Sequence, residues 1–253
     1  MKDKVTVVMT TFNNWDFTRA CAFAFKEYYP DIRIIFADGG STDGTATGWN
    51  KFADDMVMLP DGKIEDCRNA AAAIVDTPFI LTMDNDTKVI GKEALPLLLE
   101  VMEEKKDAAE TGAYCVKVIH EFRRDYCSRV FNATMECDWC PAYFTLHRTK
   151  AWREVGGQPK EYYYMQPPFE RSEKAKRYNN GGDASIAKYY QKAGWKIYTP
   201  RKEVPVLHFV RAAWWNVREN EKSSNWWRDE FEHNPTMPLN DWEKYETEKI
   251  ENK

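Results

Sequence analysis

Short apolar runs alternating with helix-patterned stretches fill the first hundred residues, and this alternation limits the fold more than any other feature. Val5–Thr10 comes first, and Asp16–Tyr29 follows with apolar residues at helical spacing, Phe17, Cys21, Ala24 and Phe25, until Pro30 ends the helix. Ile32–Ala37 is a second strand, after which Asp43-Gly44 opens a turn and helix. Met56–Leu59 is a short third strand and Phe79–Met83 a fourth. Between and after them, alanine-rich Cys67–Val75 and well-patterned Gly91–Lys105 read as helices, the latter through Leu95, Leu98, Leu99 and Met102. Such alternation predicts an α/β fold, a mostly parallel Rossmann-like sheet with helices on its faces and right-handed crossovers.

The second half has a different texture. Tyr114–Phe122 and Ala142–His147 read as longer, antiparallel-style strands, which predicts a smaller mixed or antiparallel half. An irregular stretch runs from Gln158 to Asn180, and its length suits a lid over residues 161–180. Asp183–Ala193 then reads as a helix, with Trp195–Thr199 and Val204–Val210 as strands. Trp214-Trp215 and Trp226-Trp227 stand among charges near the end. The expected division is one domain over residues 1–210, with a Trp-rich helical extension, 211–253, packed on it.

Composition narrows the classes. Hydrophobic residues make up 43% of the 253, enough for a sizeable core, and no run approaches the roughly 20 apolar residues of a membrane span. Met1-Lys2-Asp3-Lys4 leads straight into a strand without a signal-peptide pattern, so the expected location is cytoplasmic, with peripheral membrane contact left open. A net charge of −4 argues against nucleic acid as a partner and requires a local positive element for any anionic substrate. Of six cysteines, only Cys137 and Cys140 form a CxxC, and no second ligand pair exists to complete a structural zinc site. The cysteines read as reduced, mostly buried thiols.

Chemistry gathers at the strand ends. The first strand delivers Thr10-Thr11-Phe12-Asn13, the second Asp38-Gly39-Gly40-Ser41-Thr42-Asp43-Gly44-Thr45, and the fourth Asp84-Asn85-Asp86. Ligands of open parallel sheets bind beyond the carboxyl ends of the strands. Asp84-Asn85-Asp86 alone could be a simple turn, but two carboxylates one residue apart can also share a hard divalent cation. No GxGxxG opens a helix and no GKS or GKT phosphate loop is present. An EF-hand fails because Lys88 stands where a ligand oxygen is required. The expected arrangement is a nucleotide base beside Asp38 and a diphosphate on a metal at Asp84 and Asp86.

In order and spacing, TTFNN, ADGGSTDGT, CRNAAA and LTMDND resemble the nucleotide-binding half of GT-A glycosyltransferases, family 2 in particular. VGG at 155–157 and GGDASIAKYYQKAGW match further segments, and the resemblance runs from about residue 4 to about 210. It implies a hexosyltransferase-like enzyme that moves a sugar from a UDP- or GDP-linked donor to a glycan or other hydroxyl acceptor, with Mn2+ or Mg2+ as cofactor. Thr11, Asn13 and Asp38 would contact the nucleoside, and Arg68 and Asn69 would lie near the base or phosphates. Asp84 would meet the ribose or metal-bound water, with Asn85 beside it in the nucleotide-sugar site. Asp86 would hold the metal of this DxD motif, His208 would be a third ligand, and Asp183 would be the catalytic base of an inverting reaction. Two positions depart from the pattern: Gly39 replaces a usual acidic or amide residue, and Gly182 replaces the glutamate before Asp183.

Each residue also has a purely structural alternative. Asp38 and Asp183 can be helix caps, His208 a satisfied core histidine, Arg68 a partner of a surface carboxylate, and the tryptophan pairs packing. The competing functions are a non-catalytic nucleotide-sugar or glycan-binding module and a sugar nucleotidyltransferase. The latter usually carries a glycine-rich, basic loop after the first strand, which TTFNNWDF lacks.

Overall fold

Every residue of β1 (Val5–Thr11) is buried, as happens to a strand whose sheet is covered on both faces. The computed structural model describes residues 1–60, 62–113, 115–118, 134–137, 139–159, 182–202 and 204–208. From β1 the sheet grows both ways. On one side lie β2 (Arg33–Asp38) and then β3 (Asp55–Met58), and on the other lies β4 (Phe79–Asp84), all parallel. Beyond β4 comes β9 (Phe144–Arg148), antiparallel to β4 and to its next neighbour, β6 (Ala108–Gly112). Then follow β10 (Lys196–Thr199), parallel to β6, and the short antiparallel β8 (Met135–Glu136). The order is β3-β2-β1-β4-β9-β6-β10-β8. A three-stranded sheet sets β11 (Val204–His208) between antiparallel β5 (Thr87–Val89) and parallel β7 (Cys115–Val118).

Side-chain alternation along the strands assigns the helices to faces. Val7, Met9, Phe36 and Leu81 pack with residues of α1 (Trp15–Tyr28) and α4 (Ala94–Glu104), among them Phe17, Phe25, Leu98 and Met102. Val8, Ile35 and Ile80 point the other way. They meet the alanines of α3 (Ile64–Ala73), Trp152 of α5 (Thr149–Glu154), and Ile186 and Tyr190 of α6 (Gly182–Lys192). A single-turn α2 (Thr45–Gly48) follows the loop after β2. Among the described residues, no helix is long and apolar enough to cross a membrane.

The parallel half matches the alternation in the sequence, and differences arise elsewhere, among them the short unread strands β5 and β8. Ala108–Gly112 carries no β-branched apolar residue, yet it is a fully buried strand of the main sheet. Small residues suit it there: a Cβ on Gly112 would fall 2.6 Å from Thr145 Oγ1. Within the expected strand Tyr114–Phe122, the described part is Cys115–Val118, and it pairs parallel with β11 rather than antiparallel. The helix α5 has no counterpart in the sequence pattern. Cys21, Cys67, Cys137 and Cys140 are free thiols. The expected lid over 161–180 and the extension 211–253 lie outside the described residues.

A polar layer is buried on the α3, α5 and α6 face. His147 of β9, 2% exposed, sits 3.2 Å from Thr82 Oγ1 through Nε2 and 3.3 Å from the Tyr190 hydroxyl through Nδ1. Its Nδ1 is also 3.6 Å from Glu110 Oε2. Burial, with the nearby Arg68 cation, lowers the His147 pKa to about 3. The ring is therefore neutral at neutral pH and its contact with Glu110 is not an ion pair. In the unfolded chain this histidine would titrate near its ordinary value of about 6.5. Between about 6.5 and about 3 the unfolded state binds the extra proton, so this contribution to stability is complete above about 6.5 and is lost as pH falls toward 3. Thermal unfolding should show a midpoint that drops across this window. In His147→Gln the drop should be shallower, and an unchanged slope would contradict a neutral buried ring.

Candidate functional site

Strand order reverses between β1 and β4: the chain leaves β1 through α1 to reach β2 on one side, while β4 lies on the other. That is where a doubly wound sheet opens a crevice at its carboxyl ends. The parallel register pairs Thr10 with Asp84 across the opening. Two residues on, Asp86 precedes β5, and antiparallel pairing with β11 sets His208 opposite Thr87. The ligand atoms of Asp84, Asp86 and His208 consequently lie within 4.8 Å of one another. His208 Nε2 is 3.2 Å from Asp86 Oδ1, and its ring stacks on Tyr143 at 4.3 Å. Tyr143 is held in turn by a hydrogen bond from its hydroxyl to the Ala113 carbonyl, 2.5 Å. Two carboxylates and an imidazole are a donor set for a divalent cation, and three protein ligands leave coordination positions open.

The positive charge at this edge comes from α3. Arg68, 3% exposed, donates from Nε to Thr10 Oγ1 at 2.8 Å, from one terminal nitrogen to Gln158 Oε1 at 3.3 Å, and from the other to Asp84 Oδ1 in a close ion pair. One guanidinium thus offsets one of the two carboxylates. Next to it, Asn69 Nδ2 donates to the Gln158 carbonyl and Asn69 Oδ1 accepts from the Gln158 N–H, both at 2.8 Å. On the other side of Asp86, Lys88 is buried in β5, and burial lowers its pKa to about 8 against an opposing effect of Cys21.

The loop after β2 is stitched to the turn after β1. Asp38 is fully buried. Its carboxylate accepts from Thr11 Oγ1 at 2.7 Å, Ser41 Oγ at 2.5 Å, and the Gly40 and Ser41 N–H groups at 2.9 and 2.7 Å. The β1 turn passes through Asn13 and Asn14 at φ 54° and 59°, the left-handed region that asparagine tolerates best after glycine. Asn13 donates its N–H to Ser41 Oγ and accepts from the Thr42 N–H, while Asp43 accepts from the Trp15 N–H and so holds the start of α1. Asn85 Nδ2 donates to Thr18 Oγ1 at 2.9 Å.

The expected residues therefore gather at one edge, each held by partners within the protein. The Asp38 carboxylate, expected beside a base, accepts hydrogen bonds from Thr11 of β1 and from Gly40 and Ser41 of its own loop. The side-chain amide of Asn69, expected near base or phosphates, is engaged at both atoms by Gln158. Arg68 does pair with a carboxylate, but the partner is Asp84 in the crevice and not a surface residue. Asp183 lies in the first turn of α6, and its side chain is outside the described residues. Ile186, one turn on, lines a small cavity with Arg68, Gln158, His147 and Trp152. Sequence reasoning missed Gln158, Tyr143 and the part played by Phe12. The last had a signal: a large apolar residue at a strand end among polar ones, here 47% exposed and beside Gly39, where a Cβ would come within 3.3 Å of its ring. Gln158 and Tyr143 gave none, because their partners are set by packing.

The comparisons with known proteins agree with this architecture. No curated protein sequence matches the chain. Among solved structures, S. aureus TarS 1-349 in complex with UDP has a TM-score of 0.60 at 15% identity, over 85% of this chain and 63% of that one. The mannosyltransferase PcManGT from Pyrobaculum calidifontis, in complex with GDP-Man and Mn2+, has a TM-score of 0.59 at 16% identity, over 89% and 59%. At these identities the likeness shows a shared GT-A fold, and the chain spans about three-fifths of the length of either structure. The family model described as Glycosyl transferase family 2 matches residues 6–156, more than half of the chain. By that match, on a fold of GT-A type, the chain belongs to glycosyl transferase family 2.

Proposed function

We propose that this protein transfers a sugar from a nucleoside-diphosphate sugar to an acceptor hydroxyl, with Mn2+ or Mg2+ bound at the crevice and inversion at the anomeric carbon. The observation that carries this is the meeting of Asp84, Asp86 and His208 at the switch point of the sheet. Family membership and the two ligand-bound neighbours, one with GDP-Man and Mn2+ and one with UDP, support the same reading.

Asp86 and His208 would hold the cation together with Asp84. A divalent ion there would serve as a Lewis acid toward the departing diphosphate. It would also give this acidic chain the local positive charge that an anionic donor requires. Thr11, Asn13 and Asp38 would act on the nucleoside indirectly, by fixing the wall of the crevice. The exposed ring of Phe12 offers a face for the base. Asn85 would line the donor side. On the opposite face of the sugar, Asp183 would take the proton of the acceptor hydroxyl, and an aspartate with an ordinary pKa of about 3.9 is ionised and able to do so at neutral pH. The position of Ile186 beside Arg68 and Gln158 supports a place for the start of α6 near the crevice. The division into a catalytic domain over 1–210 and a packed extension over 211–253 belongs to the same proposal.

The deciding experiment incubates the protein with UDP- and GDP-sugars and Mn2+ and measures release of nucleoside diphosphate. A transferase yields it, a binding module yields none, and a nucleotidyltransferase yields pyrophosphate chemistry instead. Asp86→Ala should abolish Mn2+-dependent binding of UDP or GDP in calorimetric titration while thermal unfolding stays cooperative. An unchanged titration would remove Asp86 from the site. Asp183→Asn keeps the size and capping ability of the side chain without its basicity. Donor affinity should hold while turnover falls by about 100-fold or more, the scale of a lost general base, and wild-type turnover would return Asp183 to a capping role.

A further inference from the structure

Among the described residues, Arg68 has only neutral hydrogen-bond partners apart from Asp84, and one of them, Gln158, is fixed with unusual care. Both amide atoms of Asn69 grip the Gln158 backbone, its N–H and its carbonyl. The residue before it, Gly157, has φ +82°, and a Cβ there would fall 2.3 Å from Asn69 Oδ1. Only glycine satisfies both the left-handed backbone and this approach. Gln158 itself is 4% exposed, so its side-chain oxygen cannot trade Arg68 for bulk water. A helix residue, a glycine and a backbone segment are thus arranged to hold one neutral acceptor against the guanidinium.

We infer that Gln158 is a positioning residue that sets how tightly Arg68 holds Asp84, and through it the affinity of the crevice for a divalent cation and nucleoside diphosphate. The inference rests on the function proposed above. Asp84 Oδ1 is shared ground: a guanidinium on that oxygen competes with a cation for it and repels the cation as well. Gln158 draws the fork toward itself with a neutral oxygen, leaving Asp84 the only carboxylate on Arg68 among the described residues. A weaker acceptor at 158 would press the guanidinium onto Asp84. A charged one would draw it away and add negative charge to the site.

The two changes predict shifts of opposite sign, which loss of packing alone cannot produce. Mn2+ would be titrated calorimetrically into wild type, Gln158→Met and Gln158→Glu, each saturated with UDP and, separately, with GDP. Gln158→Met should weaken Mn2+ binding and Gln158→Glu should tighten it, each by about threefold to tenfold, the scale of one ordinary net hydrogen bond. In Asn69→Ala/Gln158→Glu the gain should shrink, because the grip that aims residue 158 is gone. Shifts of the same sign in both single variants, or no shift in either, would overturn the inference. Wild-type protein that takes up no Mn2+ with either nucleotide would instead overturn the proposed function itself, before any variant is compared.

Discussion

The parallel pairing of β1 with β4 in the register Thr10–Asp84 is the constraint on which the crevice depends. Both residues point to the α3 face, along with Val8 and Thr82, while Met9 and Met83 point to the face of α1 and α4. Side chains alternate with a period of two, so a slip of one residue would set Met83 under Arg68 and bury Asp84 among Phe17 and Leu98. The cost of burying a carboxylate in that apolar layer makes the register close to obligatory. The hydrophobic pattern of two strands thus fixes which way an acidic side chain faces at their ends. Chemistry at the edge is in this sense a by-product of core packing.

Arg68 then has work that a lysine could not do. Its planar fork reaches Thr10, Gln158 and Asp84 at once, and each nitrogen has its own partner. A single ammonium would offer three donors at one point and could not span β1, the turn after α5 and the end of β4. Arg68 is buried while Asp84 is partly exposed, so removing the carboxylate would leave a buried guanidinium without its charged partner. The same arrangement keeps the two crevice carboxylates from repelling each other across the short gap between them. On the Asp86 side, His208 supplies a nitrogen in place of a third charge.

How much of this was legible in the sequence depended on whether a residue's role was local. The readings Val5–Thr10 and Phe79–Met83 each fall only one residue short of the observed strands, because strands buried on both faces are continuous apolar runs. Asp84 and Asp86 stand out because they follow an apolar run at a strand end, where such sheets place ligands, whereas His208 joins them only through the resemblance to GT-A enzymes. Ala108–Gly112 did not read as a strand, since its identity comes from the neighbours that need small residues beside them. Gln158 was invisible for the same reason. Its meaning lies in Asn69 and Arg68, which stand ninety residues earlier and meet it only after α3 and α5 pack on one face.

The ADGGSTDGT motif shows how residues that look like ligand-binding groups also build the frame of their own loop. Its charged residues look like ligand-binding groups, yet Asp38 and Asp43 both accept from backbone N–H groups of the loop and of the neighbouring turn. A loop that must hold two left-handed asparagines opposite it needs many short hydrogen bonds, and carboxylates provide the strongest acceptors for them. With Asp38, Ser41 and Asn13 drawn inward, the loop and turn leave Phe12 and Thr42 exposed at the crevice. Gly39 belongs to this arrangement as well, because any side chain there would press on the Phe12 ring. The departure at Gly39 and the exposed aromatic are therefore one feature. A wall usually read as acidic presents an apolar face instead, with its carboxylate serving as the frame behind it.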